Sequence, residues 1–172
     1  MPLIGVSVAV PEPWGAQLQE FRTALGDDAA RLIPTHITLL PPYDASHDEV
    51  AAIEQHLAEV TGSTPAFGVH LRGTGTFQPT SPVVFVNVVA GISECERLAA
   101  RLHEGPLSVT TRFPYHPHVT VAHDLAPEAL ERAFTELAGF ECRFDVDQVH
   151  LYAFDEAIGW QRCASYELNP RE

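Results

Sequence analysis

Apolar and polar residues alternate along the chain in blocks whose period changes from one block to the next. Leu3 to Val10 is an apolar, β-branched run and predicts a buried strand. Trp14 to Leu25 sets Leu18, Phe21, Arg22 and Leu25 at helical spacing, with Gly26 as a stop. Thr35 to Leu40 predicts a strand ended by Pro41-Pro42. Ser46-His-Asp-Glu49 has the form of a capping box, after which Val50, Ile53, Leu57 and Val60 recur at the helical period until Gly62. Phe67, Val69 and Leu71 alternate as in a strand, and Gly73-Thr-Gly75-Thr-Phe-Gln-Pro79 reads as a loop.

The second half replays this order. Val83 to Ala90 predicts a strand, Ser93 to His103 a helix opened by a second capping box, Ser93-Glu-Cys-Glu96, and Pro117 to Ala122 a strand. Pro127 to Leu137 reads as a helix with proline in its first turn, Phe144 to Phe154 contains a strand, and Trp160 to Leu168 is a final strand pairing with it. A single offset of about 80 residues carries the first-half elements near 3, 13, 36, 47 and 71 onto their counterparts near 83, 93, 118, 127 and 151. Such an internal repeat predicts an α+β fold of two β-α-β-α-β lobes, about 1–80 and about 81–172, related by a pseudo-twofold and counted as one domain.

Composition narrows the chemistry. The 172 residues carry 23 acids and 10 bases, a net charge of −13, and every base is arginine. A chain without lysine forms no Schiff base and offers no P-loop lysine or adenylylated lysine. The acidity opposes a long nucleic acid held through many phosphates. Cys95, Cys142 and Cys163 have no C-x-x-C spacing and read as reduced thiols, so no disulfide framework or zinc knuckle is expected. Without a basic n-region before Pro11 and Glu12, and without a long apolar run, the chain is expected in the cytoplasm, away from membranes, as a monomer.

The two strands that match across the repeat read Thr35-His36-Ile37-Thr38-Leu39 and Pro117-His118-Val119-Thr120-Val121. Side chains alternate along a strand, so His and Thr share one face while the aliphatic residues enter the core. If the lobes face one another, two imidazoles and two hydroxyls surround one point. That set suits phosphoryl chemistry with no metal and no cofactor: one imidazole takes a proton from water, the other gives one to the leaving oxygen, and the threonines bind phosphoryl oxygens.

With Pro34-Thr-His36-Ile-Thr38-Leu-Leu-Pro-Pro-Tyr43 and Arg112-Phe-Pro-Tyr-His-Pro-His118-Val-Thr120-Val-Ala122, the chain resembles the 2H phosphoesterase superfamily, in particular its 2′-5′ RNA ligase-like and cyclic phosphodiesterase members. Gly73-Thr-Gly75-Thr-Phe77 and the stretch from Leu151-Tyr152 to Trp160 support the resemblance. It implies antiparallel sheets lining a central cleft with helices outside. It also implies His36 and His118 as the acid–base pair, Thr38 and Thr120 on the phosphate, and opening of a 2′,3′-cyclic phosphate, usually to a 2′-phosphate, with 2′-5′ ligation as the reverse. One departure is His123, which stands where RNA-ligase-like members often carry arginine. By alternation it points away from His118 and Thr120; Arg112 or Arg31 could supply the positive charge.

Tyr43, Phe77, Arg112 and Tyr115 are the candidate substrate contacts, the aromatics as stacking surfaces for a base. His47, His56, His70, His103 and His150 are expected to be surface or structural. Two other readings stay open: a metal site built on His116-Pro-His118 with His123 and His36, and a catalytically silent nucleotide-binding protein. Residues 29–43, 60–93 and 105–123 contain no acid and carry +3 from Arg31, Arg72 and Arg112, leaving −16 for the rest. The motifs therefore lie in acid-free sequence, and the expected partner is a small cyclic nucleotide or short RNA end, with long RNA repelled.

Overall fold

The computed structural model describes residues 2–171. Its strands are β1 (Leu3–Ala9), β2 (His36–Asp44), β3 (Phe67–Thr76), β4 (Val83–Ala90), β5 (His118–His123), β6 (Glu141–Val146), β7 (Gln148–Asp155) and β8 (Gly159–Glu167). The helices are α1 (Trp14–Ala24), α2 (His47–Gly62), α3 (Ile92–Leu102) and α4 (Pro127–Glu136). They form two antiparallel four-stranded sheets of order β2-β1-β7-β8 and β5-β4-β3-β6. The edge strands β2 and β5 pack against each other, so the two motif-bearing strands meet where the sheets join.

The repeat survives in this order, because β1, β2, β7 and β8 superpose in sequence of pairing on β4, β5, β3 and β6. The sheets do not divide the chain at residue 80, however. The strands that the repeat matches as β3 and β7 exchange sheets: β3 joins β4 and β5, while β7 joins β1 and β2. A short β3–β4 connection makes an antiparallel hairpin the least costly closure, and β7 then completes the sheet that β3 left. The helices cross as well, α1 packing on β5 and α3 on β2. One contiguous core results, with Val6, Val8, Ile37, Leu39, Val86, Val119 and Val121 turned into it.

Local departures from the expected elements have physical causes. β2 runs on through Pro41 and Pro42 to Asp44, which an edge strand permits because its outer side needs no donor. β3 continues to Thr76 through the expected loop, absorbing Gly73 in a register shift between Leu71 and Thr74. The stretch from Phe144 holds the end of one strand and the whole of another, in different sheets. Ser46 caps α2 with both hydrogen bonds of the capping box. Ser93 does not cap α3: the cap is Gly91 at φ 93°, where a Cβ would lie 2.6 Å from the Gly68 carbonyl oxygen. No helix among the described residues is long and apolar enough to cross a membrane.

Candidate active site

His36 and Thr38 stand part-exposed on the open face of β2 between buried Ile37 and Leu39, and His118 and Thr120 repeat that pattern on β5 around Val119 and Val121. A bulge follows each threonine. Leu39 and Leu40 are both buried where Val6 pairs with Leu40 and Ser7 with Thr38; Val121 and Ala122 are both buried where Val84 pairs with Ala122 and Phe85 with Thr120. The extra residue resets the alternation. His123, opposite Val83 and exposed, thereby returns to the face of His118 and Thr120, contrary to strict alternation.

The two imidazoles are held alike. His36 Nδ1 lies 2.7 Å from Pro34 O, and His118 Nδ1 lies 2.7 Å from His116 O. A carbonyl only accepts, so Nδ1 carries the hydrogen in both rings and Nε2 is left as the working nitrogen. Burial lowers the pKa of each below the ordinary histidine value of 6.5, against the opposing pull of its carbonyl. The positive charges of Arg22 and of His118 depress His36 further, and that of His116 depresses His118. Arg22 is itself buried and paired with Asp27 at 2.6 Å.

Aromatic rings fix the second histidine. Phe77 and Phe85 lie 5.0 and 5.2 Å from the His118 ring, centroid to centroid, and the His116 ring stacks on it at 5.6 Å. Gly75 explains part of the Gly73–Phe77 motif: a Cβ there would fall 2.6 Å from the Phe85 ring, so only glycine lets that ring lie across β3. Phe77 thus stands edge-on against the His118 ring. Tyr115 has its hydroxyl donated to Thr38 O at 2.7 Å and its ring against the core. Tyr43 also packs on the core, its hydroxyl 3.5 Å from Pro106 O. Arg112 is exposed with its guanidinium 5.3 Å over Phe113. These three hold or decorate the loops around the motifs.

Among the described residues no group of three or more His, Cys, Asp or Glu is arranged to hold a metal. The other histidines divide. His56 donates to the end of α3 and His103 to Leu39 O, both structural. His150, in contrast, is buried on the open face of the first sheet as the register partner of Ser7.

Two polar positions on the open faces escaped the sequence reading, Ser7 opposite Thr38 in the first sheet and Asn87 opposite His118 in the second. Each is a lone polar residue in an apolar strand, and they stand 80 residues apart, so the repeat offset itself was the signal that could have found them.

The family model of the 2′-5′ RNA ligase superfamily matches residues 10–157. Two relatives named "Putative phosphoesterase" are similar over most of their length. One, from Geobacillus kaustophilus, is 28% identical over 148 residues, 85% of either chain. The other, from Bacillus cytotoxicus, is 30% identical over 139 residues, 80% of either chain. Among solved structures, TT0787 of Thermus thermophilus has a TM-score of 0.74 at 21% identity, covering 99% of this chain and 100% of its own. E. coli LigT complexed with 3′-AMP has a TM-score of 0.68 at 19% identity, covering 98% and 99%. At that identity these two carry the fold.

Proposed function

The chain belongs to the 2′-5′ RNA ligase superfamily, and from that membership we propose that it is a metal-independent phosphodiesterase that opens a 2′,3′-cyclic nucleotide phosphate by two-histidine acid–base catalysis. The observation that carries this reading is the matched pair of imidazoles, each with Nδ1 on the carbonyl two residues before it and Nε2 free. Phosphoester chemistry is the coarse assignment that the family supplies; the cyclic substrate and the residue roles are ours.

The reaction needs two proton transfers and charge stabilisation, and the residues match those needs. One neutral imidazole takes a proton from water through Nε2 as the water oxygen attacks phosphorus. The bond from phosphorus to the 3′ oxygen breaks, and the second imidazole, protonated, delivers its Nε2 hydrogen to that oxygen. A nucleoside 2′-phosphate results. The Thr38 and Thr120 hydroxyls donate to the nonbridging oxygens as charge builds there. Because burial lowers both histidines, the empty site rests with neutral imidazoles. An entering phosphodiester anion raises the pKa of its neighbour and supplies the acid form where it is needed.

The equivalence of the two histidines also suits the reverse direction, in which a 5′-hydroxyl attacks the phosphorus of a 2′,3′-cyclic end, the bond from phosphorus to the 3′ oxygen breaks with a proton delivered to that oxygen, and a 2′-5′ linkage forms without ATP. The acidity of the chain, −13 overall, favours a small nucleotide or a short RNA end over a long RNA body. The test is turnover of nucleoside 2′,3′-cyclic phosphates in EDTA with the 2′- and 3′-phosphate products separated. Turnover to the 2′-phosphate supports the reading; activity that EDTA abolishes, or none across the panel of bases, contradicts it.

A further inference from the structure

A row of polar side chains crosses the open face of the first sheet. Thr38 on β2 pairs with Ser7 on β1, Ser7 with His150 on β7, and His150 with Ser165 on β8. Three of the four have evident roles. Thr38 belongs to the motif, and His150 Nδ1 and Ser165 Oγ satisfy each other at 2.8 Å. Ser7 has none. Its Oγ is buried without a hydrogen-bond partner, and the residue is 5% exposed. A hydroxyl so placed costs stability that alanine would not, and its neighbours on either side in β1, Val6 and Val8, are both valine.

Ser7 is not on a closed wall. With Gly5, His36, Thr38, Tyr152 and Trp160 it lines a pocket of about 110 Å³. Gly5 leaves the floor bare, and the Trp160 indole lies over it, its Cζ3 3.5 Å from where a Gly5 Cβ would stand. Phe154 backs the indole with ring centroids 5.3 Å apart. The pocket therefore joins the candidate acid–base histidine and threonine to flat aromatic walls and a single unpartnered hydroxyl. That combination fits a planar heterocycle attached to a phosphoester, with apolar faces to bury and edge groups to pair.

We propose that this pocket is the subsite for the base of the nucleotide and that Ser7 is the specificity residue within it, its hydroxyl taking a hydrogen bond from or giving one to the edge of the base. The proposal rests on the nucleotide-phosphate reading above and adds to it which part of the substrate this chain distinguishes. Ser7 touches the organic group and leaves the phosphate to Thr38 and Thr120.

The experiment is a calorimetric titration of wild type, Ser7→Ala and Trp160→Leu with adenosine 2′-monophosphate and with inorganic phosphate, beside thermal melts of the free proteins. Wild type binds the nucleotide more tightly than phosphate. Ser7→Ala loses about three- to tenfold in nucleotide affinity, the range for one neutral hydrogen bond, keeps its phosphate affinity, and melts at the same temperature or higher. Trp160→Leu likewise loses the nucleotide selectively. Equal losses for both ligands, unchanged nucleotide affinity in Ser7→Ala, or a wild type that does not prefer the nucleotide would overturn the proposal. So would a lower melting temperature for Ser7→Ala, since it would mean that the fold itself uses the hydroxyl. The catalytic reading fails separately: nucleotide bound through Ser7 with no turnover of a cyclic phosphate would remove the reaction and leave the subsite.

Discussion

Replacing Tyr115 with phenylalanine removes one oxygen and decides whether this side chain is a tether or a stacking surface. Its hydroxyl donates to Thr38 O at 2.7 Å, joining residues 77 apart in the chain. Burial raises the pKa of the phenol well above its ordinary value, so it stays a donor at any working pH. Tyr115→Phe deletes that bond and leaves a part-buried carbonyl short of a donor, a loss of about 1–2 kcal/mol. In a chain this size each kcal/mol moves the melting temperature by roughly 2–4 °C, so the variant melts about 2–8 °C below wild type. The segment Tyr115 anchors leads directly into His118, and the strand it grips carries His36. Turnover of a 2′,3′-cyclic nucleotide should therefore fall several-fold while KM holds. A stacking ring behaves in the opposite way, because phenylalanine stacks as well as tyrosine and only Tyr115→Leu would weaken binding. A Tyr115→Phe protein with unchanged melting temperature by calorimetry and unchanged turnover would refute the tether.

Stability should fall as pH drops below 6.5, because burial lowers His36, His118 and His150 in the folded chain and the unfolded chain binds protons first; urea titrations at pH 5.5 and 7.5 read this, and greater stability at 5.5 would contradict it. Gly75→Ala forces the Phe85 ring off its seat beside His118, so we expect a loss of about 1–3 kcal/mol together with reduced turnover. A silent variant would show that the ring is free to move. Arg22→Ala strands the buried Asp27 carboxylate and should cost about 3–5 kcal/mol by denaturant unfolding, whereas a loss under about 1 kcal/mol would mean that water reaches the pair.

Most of the fold was legible because most elements are governed by local pattern. The apolar, β-branched run of Val83–Ala90 and the capping box at Ser46 depend only on neighbours in the chain, and both stand where the pattern put them. What was illegible depends on distant partners. Pro41-Pro42 ends a central strand but not an edge strand, and edge status follows from β2 pairing with β1 alone while β7 takes the other side of β1. Ser93-Glu-Cys-Glu96 has the letters of a cap, yet Gly91 makes the turn because the Gly68 backbone passes too close for any side chain.

The candidate site shows the same division. The paired His and Thr positions emerge from periodicity and the repeat. The bulge that returns His123 to the open face comes from pairing with β4, which no single-strand pattern encodes. Tyr115 and Phe77 look alike as aromatics near a motif, but one hydroxyl finds a carbonyl across the cleft while the other ring lies against an imidazole. Ser7 and Asn87 lay within reach of the repeat offset, since both are polar interruptions of an apolar strand 80 residues apart.

The most direct test of the two-histidine mechanism is kcat/KM for a nucleoside 2′,3′-cyclic phosphate in EDTA with His36→Ala, His118→Ala and the double variant, each confirmed folded by its melting curve. Each single change should cost at least about a hundredfold, the usual scale for an acid–base group. The double variant should lose little more than the worse single one, because one proton transfer without the other is of little use. Turnover within a few-fold of wild type in either single variant would contradict the mechanism.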